Sequence, residues 1–171
     1  MLWTIVTVAM WSHPARSIDA SAQMLTDKEK RNQIEQMYES YKKSFPRVSD
    51  VSPKEAMELR KNQKVVFVDV REAREQEVSM LPGALTREEF LKNMPRYKGE
   101  IIVGYCTISY RSGKLAKKLS KRGVTMLNLR GGILAWVHDG GKVYDRYGET
   151  KKIHVYGRKW NLAPGAYATV W

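Results

Sequence analysis

One cysteine occurs in the 171 residues, Cys106, and its setting is the one a sulfur nucleophile needs. Ile101 to Tyr105 (IIVGY) is a short apolar run of strand type. Ser112 to Arg122 carries Leu115, Ala116 and Leu119 at helical spacing and is stopped by Gly123. Between them lies Cys106-Thr107-Ile108-Ser109-Tyr110-Arg111. A loop curled between the end of a strand and the start of a helix aims successive backbone N–H groups inward, and with the helix dipole these form an anion-binding nest. A thiol held there is drawn toward the nucleophilic thiolate, and the same N–H groups would hold an anionic group attached to its sulfur. A lone cysteine without such a setting reads as a small buried hydrophobe; the position after a strand and before a helix is what favours chemistry. A single cysteine excludes an intrachain disulfide framework and multi-cysteine metal sites, and disfavours a dithiol redox cycle. His13, His138 and His154 are widely separated and show no metal-ligand spacing. Gly131-Gly132 and Gly140-Gly141 stand outside any strand–GxGxxG–helix setting, so no nucleotide site is expected.

The elements that would position Cys106 can be followed along the chain. Thr26-Asp27-Lys28-Glu29 is a capping box, and Ile34, Met37, Tyr38, Tyr41 and Phe45 then mark one face of a helix ending near Pro46. Ser52-Pro53-Lys54-Glu55 opens a second helix, with proline at its first position and Ala56 and Leu59 inward. Val65 to Val70 (VVFVDV) suits a strand buried on both faces of a parallel sheet. Thr86 to Glu89 caps a third helix through Phe90 and Leu91. Val124 to Leu129 reads as a further strand, and Ile133 to Val137 as a short helix after Gly131-Gly132. Strands alternating with helices imply an α/β domain with a central, mostly parallel sheet flanked by helices in three layers. An N-terminal helix precedes it. A C-terminal hairpin, somewhere in Val143 to Tyr156 around Tyr147-Gly148, and a tail from Trp160 to Trp171 follow it. In folds of this class ligands bind beyond the carboxyl ends of the strands, which is where Cys106 stands.

The loop CTISYRS, Cys106 to Ser112, resembles the active-site loop of single-domain rhodaneses, the sulfurtransferases, whose loops often read Cys, four residues, Arg, Ser. The resemblance extends to three further segments in order. These are Phe67-Val68-Asp69-Val70-Arg71-Glu72, Leu81-Pro82-Gly83-Ala84, and Leu129-Arg130-Gly131-Gly132-Ile133-Leu134-Ala135-Trp136. One departure is Ser79-Met80-Leu81-Pro82-Gly83, where the family commonly has Gly-His-Ile-Pro-Gly. The resemblance implies a rhodanese-like domain over 48–140, with a helical extension over 23–47 and a C-terminal extension over 141–171 packed on it. It implies transfer of a sulfane sulfur from a small anionic donor such as thiosulfate, through a Cys106 persulfide, to a thiol or protein acceptor. In that reading Thr107, Ile108, Ser109, Tyr110 and Arg111 bind the substrate sulfur through their amides, Asp69 and Arg71 form a supporting ion pair, and no cofactor or metal is needed. Arg111 either draws anions in or braces the loop, and the two readings stand level. A non-catalytic scaffold module is the alternative, though inactive relatives usually lack the cysteine. A phosphatase of the same fold is disfavoured by loop size, since those enzymes carry five residues between Cys and Arg and this loop carries four.

The chain has 30 Lys+Arg against 18 Asp+Glu, a net charge of +12. From Cys106 to Arg130 there are seven cationic residues and no acidic one. Such a patch steers small anions and also suits nucleic acid, which is not favoured because Tyr105 and Tyr110 are too few for a stacking platform. At this length, 43% hydrophobic and 28% charged residues fit one soluble domain, and a monomer is expected. No apolar run is long enough for a stable membrane span. Leu2 to Trp11 has the size of a signal-peptide apolar core and Ala20-Ser21-Ala22 a small-x-small pattern, but no Lys or Arg precedes the run. A cleaved segment over 1–22 and an apolar arm packed on the domain are left level, and with them export or organelle targeting against a cytoplasmic location. The segment His154 to Pro164 has no assigned chemistry; covering the domain's edge and lining the site's mouth are both open.

Overall fold

The computed structural model describes residues 24–171; the apolar stretch and the Ala20-Ser21-Ala22 pattern lie outside the described residues. Capping boxes built on Ser or Thr set the starts of three helices, α1, α2 and α4. The Thr26 hydroxyl and the Glu29 carboxylate satisfy each other's free backbone amides and open α1 (Asp27–Lys42). Ser52 and Glu55 do the same for α2 (Pro53–Asn62), and Thr86 and Glu89 for α4 (Arg87–Asn93). The other elements are β1 (Asp50–Val51), β2 (Val65–Asp69), α3 (Ala73–Gln76), β3 (Leu85–Thr86), β4 (Ile101–Tyr105), α5 (Tyr110–Ser120), β5 (Leu127–Leu129) and α6 (Gly132–His138).

Five strands form one parallel sheet in the order β1-β5-β4-β2-β3. Successive side chains of a strand point to opposite faces, and here both faces are covered. Phe67, Val103, Tyr105 and Leu129 pack with Ala56, Ile133, Leu134 and Trp136, on the side of α2 and α6. Val68, Ile102 and Cys106 pack with Phe45, Phe90, Ala116 and Leu119, on the side of α4 and α5. This is why the β2 and β4 segments read as continuous apolar runs. At Gly104 a Cβ would come within 2.4 Å of Met126 Cε, so the side chain of Met126, just before β5, presses directly on the β4 backbone.

Several elements differ from the sequence reading: α1 stops at Lys42, before Phe45 and Pro46, and α3 and the edge strands β1 and β3 have no counterpart in it. The helix after Cys106 begins at Tyr110, two residues before Ser112. The strand over Val124–Leu129 shrinks to β5, because Gly123 takes φ +74° and the Val124 N–H turns back to the Leu119 carbonyl at 3.1 Å. Residues 123–124 therefore finish α5 instead of joining the sheet.

The C-terminal extension forms an antiparallel hairpin of β6 (Val143–Asp145) and β7 (Gly148–Thr150). A parallel pair follows, β8 (Lys152–His154) with β9 (Ala168–Val170). The hairpin docks where the sequence departs from the rhodanese pattern: Met80 and Tyr144 exchange backbone hydrogen bonds of 2.8 and 2.9 Å. The tail also reaches α1, through Lys30 Nζ to the Ala163 carbonyl at 2.9 Å and the Gly165 N–H to Asp27 Oδ1 at 2.9 Å. Both extensions are thus fastened to the domain and to each other. No helix among the described residues is long and apolar enough to cross a membrane.

Candidate active site

Cys106 follows β4, with 2% of its surface exposed, at the bottom of the loop that leads into α5. Three sets of contacts hold that loop. The first comes from α6. The Ile133 N–H donates to the Cys106 carbonyl at 2.9 Å and the Leu134 N–H to the Thr107 carbonyl at 3.3 Å. These helix-start amides have no partner within their own helix and serve the loop instead. Gly132 makes the approach feasible: at φ +60°, a Cβ there would lie 2.3 Å from the Cys106 carbonyl oxygen.

A trans peptide unit directs its C=O and N–H oppositely. With the Cys106 and Thr107 carbonyls turned to α6, the Thr107 and Ile108 N–H groups point away from it. Among the described residues, none of the backbone N–H groups from Thr107 to Ser112 donates to a protein acceptor. Six successive donors directly after Cys106 in the chain are thus left without a protein partner.

The second set pins the turn. Ser109 is buried in the left-handed region at φ +78°, where its hydroxyl donates to the Leu129 carbonyl at 2.6 Å. Ser112, in the first turn of α5, places Oγ 3.8 Å from Cys106 Sγ and 2.7 Å from Asn128 Oδ1 on β5.

The third set is electrostatic. Arg111 reaches Glu75 on α3 through two parallel hydrogen bonds of 2.6 and 2.7 Å, and Nη2 also donates to Thr107 Oγ1 at 3.1 Å. Glu75 is wholly buried, while about a quarter of the Arg111 side chain, 27%, is exposed. Burial alone would push the Glu75 carboxyl up, but Arg111's hydrogen bonds, the Glu72 N–H and the charges of Arg111 and Arg71 outweigh it. The carboxyl stays below its ordinary value. Burial likewise opposes the Arg111 charge, and the hydrogen bonds to Glu75 together with the proximity of Cys106 hold the guanidinium above its usual value. Of the two roles left open for Arg111, this geometry is that of a brace.

Asp69 and Arg71 lie below the loop as a fully buried pair, Arg71 Nη2 to Asp69 Oδ2 at 2.7 Å and Nε to Oδ1 at 3.0 Å. Tyr105 joins them: its hydroxyl donates to Asp69 Oδ2 at 2.6 Å and accepts the Leu81 N–H at 3.1 Å. This network ties β2, β4 and the Pro-Gly-Ala turn together under the cysteine. Tyr110 is exposed and stacks at a tilt on Tyr41 of α1, with centroids 5.2 Å apart.

Three contributors were not among the residues singled out from sequence. Glu75 sits in a charged run, Arg71-Glu72-Ala73-Arg74-Glu75, where no spacing distinguishes it from its neighbours. Ser112 stands out in sequence as the helix start and the end of the CTISYRS loop, but its contacts with Cys106 and Asn128 do not. Tyr156, from the C-terminal extension, places its ring centroid 4.9 Å from Arg111 Cζ. Its backbone N–H donates to His154 Nδ1 at 3.0 Å. Burial keeps that imidazole below its ordinary value, with Nδ1 free to accept.

The comparisons agree with this architecture. The structure of thiosulfate sulfurtransferase from Pseudomonas aeruginosa superposes with a TM-score of 0.52 at 20% identity, over 59% of this chain and 20% of that one. The BH2092 protein from Bacillus halodurans gives 0.51 at 22% identity, over 66% and 87%. Both likenesses are of fold. The uncharacterized protein slr1261 of Synechocystis sp. is 34% identical over 94 residues, 53% of this chain. The chain spans about half the length of that curated relative, 52%. A family model described as Rhodanese-like domain matches residues 52–139, just over half of the sequence. With that match laid over the loop, the sheet and the Gly-Gly turn described above, the chain belongs to the rhodanese-like family.

Proposed function

We propose that the protein is a sulfurtransferase that carries sulfur on Cys106. The Cys106 thiolate attacks the outer sulfur of a donor such as thiosulfate. A new S–S bond forms, the donor's S–S bond breaks, and sulfite leaves with the electron pair. The terminal sulfur of the resulting persulfide is then attacked by a thiophilic acceptor, a thiolate or cyanide, and Cys106 returns as thiolate. The observation that carries this reading is the run of unused N–H donors from Thr107 to Ser112 beside the cysteine. Free backbone donors that face a developing negative charge stabilise it without reorganisation. The family's solved thiosulfate sulfurtransferase makes thiosulfate the first donor to try. Four residues between Cys106 and Arg111 make a ring that suits one sulfur better than a tetrahedral phosphoryl group.

The test is thiocyanate formation from thiosulfate and cyanide by the full chain. The wild type is expected to turn over and Cys106→Ser to be inert. Equal rates in the two, or hydrolysis of para-nitrophenyl phosphate in place of sulfur transfer, would reject the reading.

A further inference from the structure

Among the described residues only two that are not glycine take a positive φ: Ser109, at +78°, and Tyr156, at +70°. The first lies in the Cys106 loop. The second lies 47 residues on, in the C-terminal extension, beyond the segment 52–139 that the family model matches. Left-handed backbone strains a tyrosine and costs a glycine nothing. A glycine stands next door, yet Gly157 is extended at φ −177°, so the ring occupies the position a glycine would fit better. Hydrophobic burial does not explain the choice, because Tyr156 is 46% exposed.

What the strained position provides is the ring's location. Its centroid lies 4.9 Å from Arg111 Cζ, and the Trp160 ring meets it edge-on at 5.2 Å. The turn is held by the Tyr156 N–H bond to His154, while His154 and Val155 are buried as β8 packs on α3, the helix that carries Glu75. Arg111 is therefore gripped twice, by the Glu75 carboxylate and by an aromatic ring. Strain kept at a site by the surrounding structure is a mark of function.

We infer that Tyr156 is a positioning residue of the sulfur-transfer site, its ring holding the Arg111 guanidinium on Glu75 so that the Cys106 loop keeps its working shape. The inference rests on the sulfurtransferase reading for its activity readout. It assigns the C-terminal extension a role in the chemistry of the domain it follows.

Four full-length proteins test it: wild type, Tyr156→Phe, Tyr156→Ala and Tyr156→Gly. The readouts are the rate of sulfur uptake from thiosulfate and the thermal midpoint. Alanine and glycine both remove the ring, but only glycine relieves the backbone. The expected result is that both lose about tenfold in uptake while the glycine variant melts above the alanine variant, and that phenylalanine restores the rate. If uptake instead follows stability, with glycine faster than alanine, or if alanine matches the wild type, Tyr156 is structural only and the inference fails. Should the wild type take up no sulfur, the sulfurtransferase reading fails first. Alkylation of Cys106 by iodoacetamide then carries the test of Tyr156. Alanine and glycine must depart equally from the wild-type rate and phenylalanine must not, and any other pattern overturns the inference.

Discussion

Glu75 and Arg111, on α3 and α5, meet through parallel hydrogen bonds of 2.6 and 2.7 Å, the carboxylate wholly buried and the guanidinium closing the Cys106 loop. Such a pair is a poor source of net stability but a costly thing to break, because the surviving partner is left without its counter-charge. Glu75→Ala is expected to lose about 3 kcal/mol in urea unfolding, at the low end for a buried pair because Arg111 is partly solvated. A loss below about 1 kcal/mol would mean that Arg111 finds water or another partner, and that the brace is weak.

The same pair makes a pH prediction. The Glu75 carboxyl lies below its ordinary value when folded, and near 4.3 when unfolded. A depressed carboxyl contributes stability that is fully present above the unfolded value and is lost as pH falls through the folded one. The gap in urea midpoint between the wild type and Glu75→Gln should therefore be constant above about pH 5.5 and close progressively below about pH 4.5. A gap that stays constant down to pH 3 would contradict the assignment.

Gly132 is required by the loop. An alanine there would need φ near +60° and would set its Cβ 2.3 Å from the Cys106 carbonyl oxygen and 2.7 Å from the Thr107 carbonyl. Backbone, not a flexible side chain, stands in the way. Gly132→Ala should cost about 3 kcal/mol, a drop of ~10 °C in melting temperature for a chain of this size. Arg130→Ala breaks exposed pairs with Glu35 and Glu39 and the contact of its guanidinium with the Tyr38 ring at 4.8 Å, and serves as the contrast, with a shift of about 5 °C or less. Equal shifts would show that the close approach of α6 to the loop is not tightly packed.

How far the sequence reveals this arrangement depends on the range of each signal. The helix starts at Thr26, Ser52 and Thr86 are legible because a capping box is a contact between residues three apart. The buried strands Val65–Asp69 and Ile101–Tyr105 are legible because both faces are apolar. The edge strands Asp50–Val51 and Leu85–Thr86 are two residues long and carry no period. Cys106 and its loop stand out by residue type and place. Glu75 and Tyr156 do not, since their roles come from contacts with Arg111 at separations of 36 and 45 residues. The pairing of β8 with β9 is likewise a product of tertiary packing, with no turn signal to announce it.

Tyr105 separates support from chemistry. Its hydroxyl links Asp69 to the Leu81 N–H inside the core, away from the loop amides. Tyr105→Phe removes a charge-assisted bond and leaves a buried N–H unpaired, a loss of about 2 kcal/mol. Differential scanning calorimetry should record a drop of several degrees. An unchanged melting temperature would mean that the Asp69–Arg71 pair and the turn hold without the tyrosine.

Sulfur transfer through Cys106 moves one sulfur atom onto another, and intact mass reads that event directly. Full-length protein incubated with thiosulfate should gain the mass of a single sulfur, lose it again on addition of cyanide, and gain nothing when Cys106 is replaced by serine. A wild-type protein whose mass is unchanged by thiosulfate, or one whose serine variant gains the same sulfur, would contradict the assignment of Cys106 as the carrier.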